Sequence, residues 1–203
     1  MRGPRAVLFD LDGTLHDSDP VWRVALLALA DRHEVVAAAD AFEGLAGLST
    51  PEAVALVHGR LGLVGGDVPA DVRWLETRVS RVLLERAGWY PGALDLVRAV
   101  RAQGVPTALV TSSSRILVDS LLTGPAADLF DTVVTENDVV NVKPDPEPYL
   151  LAAARLGLNI ADCVAVEDSP AGLASATAAG CQVLDIGRVA DRSALDPAFL
   201  GLG

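Results

Sequence analysis

The sequence predicts an α/β fold in which a doubly wound parallel sheet carries an inserted set of helices. Five short apolar runs end in polar or acidic residues, as strands buried on both faces of a parallel sheet do. Helix-like segments separate the later runs, and strands that alternate with helices are typical of a doubly wound sheet. A long stretch after the first run contains no convincing strand and has helical patterning. These three observations predict a sheet-containing core with a helical insertion.

The strand candidates are residues 6–10, 105–112, 131–136, 163–168 and 182–186. Because each run is apolar on both faces, all five strands are expected to be buried. Three core helices have recognisable ends, since Pro is favoured in the first turn of a helix and Gly just past its end. They are predicted at residues 91–103, 146–157 and 170–180.

Residues 16–86 interrupt this alternation with three or four helical stretches, the candidates being residues 20–33, 37–45, 51–61 and 70–86. Thr50 before Pro51 is a suitable N-cap with Pro in the first turn. The last stretch places apolar residues at helical spacing with arginines between them. We therefore expect a core domain made of residues 1–15 and 87–203 and a helical cap domain made of residues 16–86.

Composition restricts the partners and the compartment. The 203 residues are 51% hydrophobic and carry a formal net charge of −11. Nucleic acid is not an expected partner, because its binding needs a basic patch. No run of about 18 apolar residues could span a membrane, and the first apolar run is too short for a signal peptide. We expect a cytoplasmic protein without a membrane partner, and nothing requires more than a monomer.

The cysteines and histidines carry no motif of their own. Cys163 and Cys181 stand at the starts of predicted strands, where small buried side chains are expected rather than a disulfide or a reactive thiol. His16, His33 and His58 have no partner at metal-ligand spacing in the sequence. For His16 a surface or hinge role is expected.

The strongest chemical signal is FDLDGT, in which Asp10 and Asp12 follow the first predicted strand. Carboxylates two residues apart point to the same side, into the crevice at the carboxyl edge where open α/β sheets bind ligands. Two anions so close repel each other unless a cation or a proton intervenes. Taken alone, the pair is also compatible with a solvated acidic turn.

Three further signals fall at the ends of other predicted elements. Thr111 and Ser112 end the second strand and can hold phosphate oxygens through hydroxyl and backbone N–H groups. Lys143 precedes a predicted helix, where its cation could reach a substrate phosphate. Glu167 and Asp168 end the fourth strand, and hard oxygen ligands of this kind suit Mg²⁺. Together with the first motif, they predict a Mg²⁺-dependent site for a small phosphorylated substrate.

Four short motifs, FDLDGT, LVTSS, KPDPEPY and VEDSPAG, occur in this order. Together they resemble the four signatures of the haloacid dehalogenase-like superfamily of phosphotransferases, and the resemblance covers nearly the whole chain. The helical insertion after the first motif is similar to the cap of the subgroup that contains phosphoglycolate phosphatases, beta-phosphoglucomutases and sugar-phosphate phosphatases. Within that subgroup, DSDPVW and GLSTPEAV look most like hexitol- and deoxysugar-phosphate phosphatases.

The resemblance implies a phosphatase that acts on a small phosphorylated metabolite, a sugar or polyol phosphate. Asp10 would form an aspartyl-phosphate, while Asp12 would protonate the leaving oxygen and then activate water. Mg²⁺ would be held by Asp10, the backbone carbonyl of Asp12 and Asp168, with Glu167 either as a ligand or orienting through water. The transferring phosphoryl group would be bound by Thr111, Ser112 and Lys143.

Departures from the family pattern separate the alternatives. Hydrolytic dehalogenases of the superfamily lack an acid at the position of Asp12, so dehalogenation is not expected. Beta-phosphoglucomutase-like members carry a cap-loop Arg where this chain has Ala46, and a cap His where it has Trp22. A phosphosugar mutase remains the first alternative, because Arg73 or Arg78 could supply the missing charge. A non-catalytic binding protein on the same fold is the second.

Overall fold

A five-stranded parallel sheet organises the chain, of which the computed structural model describes residues 3–38, 40–63, 65–86, 88–187, 189 and 200, with the backbone alone at 81–86. The strands are β1 (Ala6–Phe9), β2 (Thr107–Val110), β3 (Thr132–Val134), β4 (Cys163–Glu167) and β5 (Gln182–Asp185). Their order in the sheet is β3-β2-β1-β4-β5. The chain moves outward from β1 to β3 and then places β4 on the other side of β1, so the predicted doubly wound sheet is confirmed.

Seven α-helices are present in the described part of the chain. They are α1 (Asp19–Arg32), α2 (Thr50–Leu61), α3 (Val68–Arg86), α4 (Ala93–Ala102), α5 (Arg115–Leu121), α6 (Glu147–Arg155) and α7 (Pro170–Ala179). The predicted core helices correspond to α4, α6 and α7. Helix α5 was not predicted, because its seven residues have neither a proline in the first turn nor a glycine directly after the last. None of the helices in the described ranges combines the length and the hydropathy that a membrane span requires.

The strands bury alternate side chains in two apolar layers. Val7 and Phe9 of β1 belong to the layer that contains α4, α5 and the buried faces of the insertion helices. Ala6 and Leu8 belong to the other layer, with apolar residues of α6 and α7. This alternation follows from the period of two along a strand. All four of these side chains are fully buried.

The two edge strands differ from the prediction that every strand is buried. The central strands β1, β2 and β4 are buried throughout. In β5, by contrast, Gln182 and Asp185 are exposed, and in β3 only Val134 is buried. An edge strand has a neighbour on one side only, so its side chains receive less cover from the flanking helices. The expectation of full burial was wrong for these two strands.

In its described residues, the insertion between β1 and α4 contains three helices, α1 to α3, where three or four were expected. Of the candidate helix at 37–45, residues 40–44 form turns, residues 37, 38 and 45 have no regular secondary structure, and residue 39 lies outside the described residues. Helix α2 begins with a capping box. The Ser49 side chain accepts from the backbone N–H of Glu52, and the Glu52 side chain accepts from the backbone N–H of Ser49. The division into a core domain and a cap domain at residues 16 and 86 stays a prediction.

The cysteines are free, as expected. Cys163 is buried in β4, and the thiol of Cys181 donates to the Cys163 carbonyl at 3.1 Å. Burial raises the pKa of the Cys163 thiol to about 11 and that of Cys181 to about 12. Both side chains therefore remain protonated and weakly nucleophilic near neutral pH.

Candidate active site

The carboxyl ends of β1, β2 and β4 bring the predicted site residues together. Phe9 at the end of β1 is in register with Leu109 of β2 and Val166 of β4. The Asp10 N–H still donates to the Val166 carbonyl, at 3.0 Å, so the chains leave the sheet at the same level. A cavity at this edge is lined by Asp10, Asp12, Thr111, Ser112 and Asp168. Lys143 and Glu167 are buried next to Asp10.

Lys143 is the chain's only lysine, and its side chain is 1% exposed. Its Nζ donates to Asp10 Oδ1 at 2.8 Å, to Glu167 Oε1 at 2.6 Å and to the Val110 carbonyl at 2.9 Å. Three acceptors match the three N–H donors of an ammonium group. The structure therefore fixes the ammonium against the first acid of the FDLDGT motif.

Burial and charge pairing oppose each other in this cluster. Burial lowers the pKa of Lys143, but the carboxylates of Asp10 and Glu167 outweigh it and raise that pKa above its ordinary value. Burial raises the pKa of Asp10 well above its ordinary value, and Glu167 raises it further, against the lowering effect of Lys143. One ammonium therefore does not balance the buried carboxylates, and either a proton or a second cation would.

Both carboxylate oxygens of Glu167 accept hydrogen bonds from the protein. Oε1 accepts from Lys143 and, at 2.7 Å, from the Tyr149 hydroxyl. Oε2 accepts from the backbone N–H groups of the next two residues, at 3.1 and 3.3 Å. Gly172 of α7 leaves the space for this carboxylate, because a Cβ there would lie 1.8 Å from Oε1. Neither predicted role of Glu167, metal ligation or orientation through water, includes the contact with Lys143, which this geometry adds.

Asp10 and Asp168 offer the oxygen atoms that a hard cation needs. Asp10 Oδ2 is buried and has no hydrogen-bond partner among the described residues. Oxygens of Asp10, Glu167 and Asp168 lie within 4.8 Å of one another. Gly13, with φ at +80°, makes room for Asp168, since a Cβ there would lie 2.3 Å from its Oδ2, and the Thr14 hydroxyl donates to its Oδ1 at 2.8 Å. This donor set fits Mg²⁺.

Asp12 is held by hydroxyl groups of the loop that follows β2. Its Oδ2 accepts from Ser113 Oγ at 2.7 Å and from Thr111 Oγ1 at 3.3 Å. Ser112, between them, has a buried Oγ without a partner in the described part of the chain. Sequence reasoning missed Ser113, because the run of four hydroxyl residues does not show which of them turns back toward Asp12.

The cavity has a volume of about 420 Å³ and extends from the sheet edge to the insertion. Apolar surface comes from Trp22, Leu26, Phe42, Leu45 and Leu48. Polar groups of the insertion in the wall include Asp19, Arg23 and Glu43. Arg23 is the only cationic side chain among the described lining residues. The wall can therefore receive a small polar molecule but offers little positive charge away from the sheet.

The cap-loop position of the mutase comparison is part of this wall. Ala46 lines the cavity, and so does Trp22. Neither Arg73 nor Arg78 is among the lining residues, and the guanidinium of Arg78 lies 5.5 Å from the centre of the Trp74 ring. The expectation that one of these two arginines could replace the missing charge is not supported.

His16 is buried instead of lying at the surface. Its ring packs edge-to-face on Trp89, with ring centres 5.3 Å apart. Its backbone bridges to Asp12 and to Trp89, so it connects the acidic loop to the segment before α4. Burial lowers the pKa of His16, which favours the neutral ring. Of the two roles expected for it, the connection fits a hinge.

Comparison with known proteins gives a consistent result. The sequence model of the haloacid dehalogenase-like hydrolase family matches residues 4–180 of this chain. Hexitol phosphatase A of Escherichia coli (strain K12) is 36% identical over 210 residues, or 98% of this chain and 90% of that protein.

Among solved structures, CbbY from Rhodobacter sphaeroides in complex with phosphate has a TM-score of 0.82 at 25% identity, over 98% of this chain and 100% of that one. A mutant of the same protein in complex with xylulose-(1,5)bisphosphate has a TM-score of 0.81 at 24% identity, over 97% and 99% of the two chains. The chain studied belongs to the haloacid dehalogenase-like hydrolases.

Proposed function

We propose that the chain is a magnesium-dependent phosphatase that hydrolyses a sugar or polyol monophosphate through a phosphorylated Asp10. The observation that carries this proposal is the buried contact of 2.8 Å between Lys143 Nζ and Asp10 Oδ1, beside an Asp10 Oδ2 that has no partner among the described residues. A fixed ammonium lowers the repulsion between a carboxylate nucleophile and a phosphate dianion. The similarity to a hexitol phosphatase supports the same activity.

The first step is in-line attack of an Asp10 carboxylate oxygen on phosphorus. The new O–P bond forms as the ester O–P bond breaks, and Asp12 gives its proton to the leaving alkoxide. In the second step a water oxygen attacks the phosphorus of the acyl phosphate. Asp12 takes a proton from that water, and inorganic phosphate and the Asp10 carboxylate are released. Ser113 and Thr111 both donate to Asp12 Oδ2, so Oδ1 carries the transferred proton.

Charge on the phosphoryl group is balanced from two sides. Mg²⁺ would be held by Asp10, Asp168 and the backbone carbonyl of Asp12, and would neutralise phosphoryl oxygens when bound. Lys143 supplies the second positive charge. The Ser112 hydroxyl is buried in the cavity wall, has no hydrogen-bond partner among the residues that the structure describes, and can donate to a phosphoryl oxygen. Thr111 was expected to bind phosphate, but its hydroxyl is turned toward Asp12, so a role in orienting the acid suits it better.

The residues that line the cavity support the proposal of a substrate with a single phosphate group. A bisphosphate such as the one bound to the CbbY mutant would bring a second dianion toward the insertion. In this chain that part of the wall carries Asp19 and Glu43, with Arg23 as the cation among the described lining residues. Carboxylates repel a phosphate but accept hydrogen bonds from hydroxyl groups. A polyhydroxylated monophosphate therefore suits the wall better.

The test is release of inorganic phosphate from a panel of hexitol phosphates, sugar monophosphates, phosphoglycolate, nucleotides and a sugar bisphosphate. The hexitol and sugar monophosphates should give the fastest release, only with Mg²⁺. Asp10→Asn should abolish it, because an amide is neither a nucleophile nor an anionic ligand. Asp31→Asn is the matched control on the exposed surface of α1 and should keep the parent rate. An active Asp10→Asn protein would refute the proposed nucleophile.

The same assay separates the phosphosugar mutase alternative from the proposal. A mutase would return the phosphoryl group to the sugar and form an isomer without releasing phosphate. Ala46 in the wall offers no charge to hold the intermediate sugar bisphosphate that such a transfer needs. Hydrolysis is accordingly the better supported outcome.

A further inference from the structure

Another cluster of metal-ligating side chains lies in the insertion, apart from the cavity of the candidate active site. It consists of His33 directly after α1, His58 in the last turn of α2 and Asp71 in the first turn of α3. These three residues do not line the cavity. Because each lies in or directly after a different helix, an ion bound by all three would connect α1, α2 and α3.

The three side chains converge on one carboxylate oxygen. His33 Nε2 lies 2.5 Å and His58 Nε2 lies 3.0 Å from Asp71 Oδ2. The donor atoms of all three residues lie within 4.8 Å of one another. The side chains of Asp71 and His58 are 3% and 6% exposed, whereas that of His33 is 25% exposed. The cluster is thus largely buried but can be reached by an ion from the His33 side.

Neighbouring groups fix the orientation of these side chains. Arg32 Nε donates to Asp71 Oδ1 at 3.2 Å, which leaves Oδ2 turned toward the two imidazoles. The Arg32 guanidinium also lies 5.1 Å from the centre of the Trp74 ring. Gly66 lies against the His58 ring, since a Cβ there would be 2.7 Å from its Cε1 and Nδ1. Outer groups that hold ligands in place in this way are typical of metal sites.

We propose that His33 Nε2, His58 Nε2 and Asp71 Oδ2 form a binding site for Zn²⁺, with water as the fourth ligand. Two imidazole nitrogens and one carboxylate are a common donor set for this ion in tetrahedral sites with an open position. A neutral imidazole binds through Nε2 when its proton is on Nδ1, and an imidazolium releases one proton to solvent. Mg²⁺ prefers oxygen ligands, so the site selects against the ion expected at Asp10.

A purely structural role is the competing outcome. Without a metal ion, Asp71 Oδ2 would accept hydrogen bonds from the N–H groups of both imidazoles. That arrangement also connects three helices, but it predicts no response to Zn²⁺. The two outcomes differ in the chemical state of Nε2, and the state of this atom can be measured directly.

The first experiment is a Zn²⁺ titration of the full chain followed by long-range ¹H–¹⁵N NMR of the imidazole rings. The chain has three histidines, so His16 serves as an internal control. Excess Mg²⁺ is present to compete for the carboxylates of the candidate active site. One equivalent of Zn²⁺ should move the Nε2 signals of His33 and His58 to the metal-bound range and leave those of His16 in place. Unchanged signals from either His33 or His58 would overturn the proposal.

The second experiment measures the rise in Tm caused by Zn²⁺ at about 100 times its Kd. A rise of about 5–10 °C is expected for the parent protein, given its size. Loss of a ligand in His58→Gln should weaken Zn²⁺ binding by about 100-fold and remove most of the rise. His16→Gln should show the parental rise, because only the change caused by Zn²⁺ is compared.

An equal rise in the parent and in His58→Gln would contradict the assignment of the ligands. If His58→Gln does not fold, the NMR titration of the parent protein still decides. Neither measurement uses phosphatase activity. The proposal of a Zn²⁺ site can therefore be refuted while the proposed function is kept, and the proposed function can be refuted while the Zn²⁺ site is kept.

Discussion

The two clusters of ligating side chains differ in how charge is distributed within them. At the sheet edge, Asp10 and Glu167 share one buried ammonium, that of Lys143. In the insertion, one carboxylate, that of Asp71, faces two imidazoles and the guanidinium of Arg32. The first cluster is short of positive charge and the second is not. A cation at the sheet edge would therefore fill an electrostatic need, whereas in the insertion it would replace protons on nitrogen.

The cations of the two clusters also differ in exposure. The Lys143 side chain is 1% exposed and has three acceptors, while that of Arg32 is 44% exposed. Removal of Lys143 would leave two buried carboxylates without a cation, whereas removal of Arg32 would leave Asp71 with two imidazole partners. The same type of substitution should thus have very different consequences at the two places.

The largest effect is expected for Lys143→Met. It leaves Asp10 and Glu167 without their cation, so stability should fall by about 3–5 kcal/mol. The value of kcat in the folded fraction should fall by about 10²–10³-fold. Arg32→Met is the matched control and should cost about 1 kcal/mol or less. Urea unfolding measures the stability of both variants, and steady-state kinetics measures their kcat. Similar losses of stability in the two variants would contradict the distinction between the clusters.

An intermediate effect is expected from two glycine-to-alanine changes within helices. In α7, Gly172→Ala would place a methyl group 1.8 Å from Glu167 Oε1, so the carboxylate must move away from Lys143. We expect a loss of about 1–3 kcal/mol and a lower kcat. Gly59→Ala in α2 meets no atom within 4 Å and should stabilise the chain by up to about 1 kcal/mol.

Thermal unfolding of these two variants provides the comparison. If Gly172→Ala stabilised the chain as much as Gly59→Ala, the position assigned to the Glu167 carboxylate would be incorrect. Gly59 is next to His58, so the same variant also shows whether α2 tolerates change beside the second cluster.

The smallest effect concerns Glu136, whose carboxylate connects the segment after β3 to the insertion. Its Oε2 accepts from the Thr50 N–H of α2 at 3.3 Å. Burial raises the pKa of Glu136 from 4.5 to about 7, and the carboxylates of Glu76 and Glu52 add to this. The folded state therefore binds the proton more tightly than the unfolded state. The resulting stability is complete below about pH 4.5 and is lost as the pH rises through about 7.

Glu136→Gln should lack this loss and be more stable than the parent above pH 7, because a neutral amide needs no proton. The measurement is the free energy of unfolding between pH 4.5 and 8, compared as the difference between variant and parent. Glu147→Gln is the control, since hydrogen bonds from Val140 and Asn141 lower the pKa of Glu147 and keep it outside this range. A difference that does not change with pH would contradict the role given to Glu136.

Sequence reasoning located the sheet-edge residues because they follow strands directly. Asp10, Thr111 and Asp168 each come just after the carboxyl end of a buried strand, and parallel strands bring those ends to one edge. Tyr149 and Gly172 were missed, although both contact Glu167. They come from two helices, and the helical pattern predicts only an apolar face, not which residue of that face meets a given carboxylate.

The cluster in the insertion was invisible to sequence reasoning. His33, His58 and Asp71 are far apart along the chain and match no ligand spacing. They meet because α3 packs on both α1 and α2, and the rotation of each helix about its axis decides which side chains converge. The expected helix at residues 37–45 failed for a related reason, since an apolar pattern in a short segment does not show whether turns or a helix will bury it.

The sequence by itself determined the order of strands and helices, the type of sheet and the acids at its edge, because these depend on local patterns and on the direction in which strands end. Only the tertiary structure shows that both carboxylate oxygens of Glu167 accept hydrogen bonds from the protein and that Ser113 donates to Asp12. It also shows that His33 and His58 both contact Asp71 Oδ2. Such contacts depend on distances between separate elements, and those distances are set by packing that no local pattern contains.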